Sequence, residues 1–94
     1  MFNRLVYRVH AIQRMAERGV DENDVRRVLE SGEVVQSYPD DRPFPSRLML
    51  GFVEHRPLHV VAADDTENRT TYVITVYEPG LDEWDASFRR RKSS

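Results

Sequence analysis

From residue 33 onward the chain holds four apolar runs with only short, turn-like separators between them, and this constrains the fold most. The runs are EVVQSY (33–38), RLMLGFVE (47–54), LHVVAAD (58–64) and RTTYVITVYE (69–78); the separators are PDDRPFPS, HRP and DTEN. Strand-rich runs bounded by Pro, Asp, Asn and Ser read as strands and turns. A parallel neighbour needs a crossover of about a dozen residues or more, so separators this short predict antiparallel pairing. Within the runs, Leu48, Leu50 and Phe52 alternate, as do Tyr72, Ile74 and Val76. Pro79-Gly80 breaks the last run, and Leu81, Trp84 and Phe88 then share the stripe of a short terminal helix.

Two helices precede the strands. At about 100° per residue, His10, Gln13, Arg14, Glu17 and Arg18 gather on one side of Val9–Arg18, and Ala11, Ile12, Met15 and Ala16 on the other. Gly19 follows in the C-cap position. Asp21 and Asp24 have the spacing of a capping box for a second helix, whose stripe is Val25, Val28 and Leu29 and whose end is Gly32. The expected architecture is α+β: two N-terminal helices, a four-stranded antiparallel meander sheet and a short C-terminal helix. RLVYRV, near the start, is at most a short extended piece. One domain spans residues 1–94, with a frayed basic tail from about residue 89.

The composition supports a packed chain, because 39% hydrophobic against 32% charged residues is a globular balance. The chain has no cysteine, which removes disulfides, thiolate nucleophiles and cysteine-based zinc sites. No apolar run approaches a bilayer span, and the arginines within MFNRLVYRVH argue against a secretory leader, so a cytoplasmic protein away from membranes is expected. The net charge of −2 hides basic ends and acidic middle blocks: four Arg against one Glu lie in residues 1–20, and three Arg and a Lys in 86–94. Local field decides how a polyanion approaches, so RNA remains an admissible partner.

The candidate chemistry lies in two sets. His10, Arg14 and Arg18 form a row on the first helix that can grip phosphate, or simply be a solvated face. His59 sits inside an apolar strand. If Leu58 and Val60 face the helices, His59 faces away, roughly opposite Thr75 with Tyr77 as its diagonal neighbour. The two sets share a substrate only if the helix lies at a sheet edge or a dimer joins them. His55 and His59 with Asp40, Asp41, Asp64 or Asp65 do not have the spacing of a metal site, and neither metal nor cofactor is expected.

The combination His10-Ala11, Arg14-Met15, Arg18-Gly19-Val20, Asp24-Val25, Gly32, YPDDRPFPS, Leu50-Gly51, RPLHVV and ITVYEP, with Trp84 beyond, resembles the bacterial domain-of-unknown-function 4258 family over residues 7 to 91. One departure is local: the pattern has Ser or Thr before the first helix, where this chain has Arg8. The family's order of elements looks like that of BrnT and RelE/ParE toxins. The resemblance therefore implies the toxin half of a toxin–antitoxin pair, a metal-independent endoribonuclease with RNA as substrate and an antitoxin-like protein as partner. His59 is then the acid or base, Tyr77 its helper, His10 a second acid–base group, and Arg14 and Arg18 the phosphate holders. The alternative is a non-catalytic protein-binding module.

Overall fold

The computed structural model describes residues 4–92. Its elements are β1 (Arg4–Tyr7), α1 (Val9–Arg18), α2 (Glu22–Ser31), β2 (Glu33–Tyr38), β3 (Ser46–Val53), β4 (Arg56–Asp65) and β5 (Thr70–Tyr77). They form a five-stranded sheet in the order β1-β5-β4-β3-β2. The expected four-stranded antiparallel meander is therefore incomplete. RLVY is a fifth strand, and it pairs parallel to β5, with Arg4 opposite Thr70 and Tyr7 opposite Val73. Both helices and the other three strands make up its crossover, ample length for a parallel connection.

The helix ends follow their chemistry. Gly19 adopts φ 65°, and its N–H donates to the Met15 carbonyl. The Asp24 N–H donates to Asp21 at 2.9 Å, and the Asp21 N–H donates to Asp24 at 3.1 Å, so the capping box is complete. Val25, Val28 and Leu29 of α2 are buried against the sheet. The approach is close: a Cβ at Gly51 would lie 2.6 Å from Val28 Cγ2. Helix α1 packs chiefly on β5, beside the end of the short β1. At this margin it buries Ala11 and Met15 but leaves Ile12 and Ala16 exposed, a narrower stripe than the expected one.

One aliphatic core lies between the helices and one sheet face, with Leu58, Val60, Ala62, Val73 and Val76 on the strand side. The expected alternation of β5 fails part-way. Between the pairs Val61–Thr75 and Ala62–Val73 the register shifts, leaving Ile74 unopposed. Such a bulge reverses the phase of a strand. Val76 keeps its expected inward direction, while Val73 turns inward and Tyr72 turns to the opposite face.

That opposite face is covered by irregular chain. Residues 81–92 make no helix, contrary to expectation. Asp85 accepts hydrogen bonds from both the N–H and the hydroxyl of Ser87, which compete with helical bonding. The chain then folds back on itself: Asp85 N–H donates to the Arg90 carbonyl, Lys92 N–H donates to the Glu83 carbonyl, and Trp84 bridges Arg91. This strap is tied down rather than frayed, since Arg89 donates to both carboxylate oxygens of Glu33 at 2.7 and 2.8 Å. Its Trp84 is buried. Among the described residues, no helix is long and apolar enough to cross a membrane.

Candidate functional site

The margin where α1 runs beside β5 forms an open cleft of about 370 Å³. His10, Arg14 and Arg18 enter it from α1, and Thr75, Tyr77 and Glu78 from β5 and the residue after it. The strap closes the third side with Glu83, Trp84 and Arg91. The edge placement of α1 turns its polar row towards the strap-covered sheet face, and this brings His10, Arg14, Arg18 and Tyr77 together within one chain.

His59 is close to this cleft but does not line it. The register places it directly opposite Tyr77, not Thr75. The bulge and the turn after Asp65 each contribute one residue of slip, and an even slip preserves which face His59 shares with Tyr77. The imidazole is fully buried, with Trp84 set edge-on at 4.5 Å and Tyr77 at 5.1 Å between ring centres. Its Nε2 lies 2.8 Å from the Phe88 carbonyl oxygen, and its Nδ1 lies 3.1 Å from Tyr77 Oη. A carbonyl can only accept, so Nε2 carries the hydrogen. In the neutral ring Nδ1 is then an acceptor, and the Tyr77 hydroxyl donates to it. Phe88 holds a left-handed backbone conformation, φ 60°, next to this contact.

The electrostatics keep both groups uncharged near neutrality. Burial pushes the His59 imidazole below its ordinary range and Arg91 pushes it the same way, while the bond to Phe88 acts in opposition. Burial also raises the Tyr77 phenol; Arg91 pulls it down, and Tyr38 and Glu83 add to the rise. The surrounding cations differ in how far they are engaged. Arg14 reaches Glu17 at 3.5 Å, a loose pair between largely exposed side chains. Arg18 gives its backbone carbonyl to Arg56, and its own guanidinium pairs with no carboxylate among the described residues. The Arg91 guanidinium lies over the Trp84 ring, 4.8 Å from its centre. Glu78 faces Arg56 at 3.3 Å.

The two sequence-derived sets therefore adjoin one cleft. His10, Arg14, Arg18 and Tyr77 are on its wall, and His59 stands behind Tyr77. Sequence reasoning left Arg91 in a basic tail and did not place Glu83 or Thr75 in the site. The first two belong to a strap read as helix and tail, and nothing in the local pattern of RRRK distinguishes an arginine folded back on tryptophan. His55 sits at φ 74° in the β3–β4 turn, apart from the cleft. No group of three or more His, Asp or Glu side chains among the described residues has a metal-holding arrangement.

A family model described as Domain of unknown function (DUF4258) matches residues 7–78. No curated protein and no solved structure matches the chain.

Proposed function

From the premise that this chain belongs to the DUF4258 family, we propose that it is a metal-independent endoribonuclease of toxin type. The observation that carries the reading is the convergence of His10, Arg14, Arg18 and Tyr77 on one cleft, with the Tyr77 hydroxyl bonded to a buried neutral imidazole. In this reaction the ribose 2′-oxygen attacks the adjacent phosphorus. The 2′-hydroxyl proton passes to Tyr77 Oη as Tyr77 gives its own proton to His59 Nδ1. The bond from phosphorus to the 5′-oxygen breaks, and His10 supplies that oxygen with a proton. The products are a 2′,3′-cyclic phosphate and a 5′-hydroxyl. Arg14, Arg18 and Arg91 offset the charge that builds on the phosphoryl oxygens. Burial of His59 makes its protonation costly, and the Phe88 carbonyl partly offsets that cost.

In this reading the protein is the toxin half of a toxin–antitoxin pair acting in the cytoplasm. A second reading, a non-catalytic module that docks a protein, is favoured by one observation. Val9 and Ile12, 70% and 53% exposed, form an apolar patch on α1 outside the core. An antitoxin-like partner covering that patch is compatible with either reading.

The test is cleavage of single-stranded RNA by purified protein with and without EDTA, with the product ends identified. Cyclic phosphate ends unaffected by EDTA are expected. Tyr77→Phe and His10→Ala should each slow the reaction about 10²- to 10⁴-fold, the usual contribution of a proton-transfer group. Cleavage that persists at a 2′-deoxy position, or no cleavage at all, would remove the nuclease reading.

A further inference from the structure

The Arg8 side chain makes no helix-capping bond although it occupies the N-cap of α1. Its guanidinium instead lies over the ring of Tyr72, 5.1 Å from the centre. Phe44, from the proline-rich β2–β3 loop, stacks on the same ring at 5.7 Å and only 5° from parallel. Three elements thus contribute to one stack of flat groups. Arg8 is exposed, and Tyr72 and Phe44 are half-buried, so the stack is reachable from solvent. An exposed arginine costs nothing to leave in water, and the N-cap position would be better filled by Ser or Asp for helix stability alone.

The position of the stack matters as much as its composition. Tyr72 is opposite Ala63, and Thr75 is opposite Val61, so both point to the sheet face that bears Tyr77. Tyr72 and Thr75 are three residues apart on β5, about 10 Å along a strand. Arg8 and His10 are likewise close, on the first turn of α1. The stack and the cleft are therefore neighbours along one line, parallel to β5 and bordered by α1.

We infer that Arg8, Tyr72 and Phe44 form a base-stacking shelf for a single-stranded nucleotide next to the one held in the cleft. The inference rests on the endoribonuclease reading and adds a substrate requirement to it. A guanidinium plane backed by aromatic rings accepts any unpaired base by stacking and cation–π attraction. A duplex cannot use it, because its bases already stack on one another. The shelf thus makes the protein selective for unpaired RNA without selecting a particular base, and the three cleft arginines hold the adjoining phosphate.

The experiment compares binding of two probes by the full chain, using fluorescence anisotropy: a 2′-O-methyl adenosine hexamer, which cannot be cleaved by 2′-oxygen attack, and an abasic backbone of equal length and charge. The wild type should bind the adenosine hexamer roughly five- to one-hundred-fold tighter, the usual worth of stacking a base on such a platform. Arg8→Lys keeps the charge but has no plane. It should bind the abasic backbone like the wild type and lose most of the preference for bases. Arg8→Ala should lose the preference and some abasic binding as well. Neither variant removes a buried group or a capping bond, and thermal unfolding of each should match the wild type. A preference that survives in both variants, or a wild type that cleaves RNA yet binds both probes equally, overturns the shelf and leaves the nuclease standing. A wild type that binds neither probe and cleaves no RNA overturns both.

Discussion

The two faces of the sheet are closed in different ways. On the helix face, Val25, Val28 and Met15 meet Leu58, Val60 and Val76 in an aliphatic layer, at whose margin the Tyr7 hydroxyl is buried without a hydrogen-bond partner. On the strap face, His59 is buried just as fully, but among Trp84 and Tyr77, with each ring nitrogen bonded. Aliphatic packing is tolerant of small shifts and carries no chemistry. An imidazole held between a carbonyl and a phenol tolerates few changes, because every substitution leaves a buried polar atom without its partner. The contrast places aliphatic packing on one side of the sheet and the hydrogen-bonded imidazole–phenol pair on the other.

The sharpest way to break the contrast is to open each face in turn. Trp84→Ala should cost about 3–5 kcal/mol and Leu58→Ala about 2–5 kcal/mol, read from urea unfolding. Only the first should expose His59, which site-mapped diethylpyrocarbonate modification would detect. Equal protection of His59 in both variants would mean that the strap does not shield it. Next in size is Gly51→Ala, which pushes Val28 and so α2 away from the sheet. Unfolding should be easier by about 1–3 kcal/mol, with RNA cleavage unchanged because the cleft is at the other helix.

The third effect is set by pH. The folded imidazole of His59 has a depressed pKa, so the unfolded chain takes up the proton first as pH falls. The stability from keeping His59 neutral is complete above the unfolded value of about 6.5 and is lost as pH falls towards the folded value. The urea midpoint should therefore drop between about pH 6.5 and the lower folded pKa, and His59→Gln should flatten that part of the profile. An unchanged profile in the variant would assign the drop to other groups.

The helices were legible because their signals are local. Gly19, the Asp21–Asp24 box and the Val25–Val28–Leu29 stripe each lie within a turn or two of their partners. The strand runs were legible for the same reason. The four residues of β1 carry too short a pattern to read, and their partner strand begins at Thr70, far along the chain. The bulge at Ile74 reverses inside and outside without any glycine or proline to announce it. Of the candidate site, the residue types on α1 and β5 could be read from spacing, while their meeting depended on α1 lying at the sheet margin. His59 reads as a candidate acid or base from the face it shares with Tyr77, and its burial behind Tyr77 is a matter of tertiary packing that spacing does not carry. The strap was missed because its order comes from contacts with Glu33, His59 and Trp84, none of which a periodicity can reveal.

The return of the strap to α1 also has a consequence for timing. Chains emerge from the ribosome N-terminus first. His10 and Arg14 are made early, but Arg91 is made some eighty residues later, and the wall of the cleft needs both. A half-synthesised chain has no finished pocket, so whatever the cleft does begins only when translation has passed the last arginines.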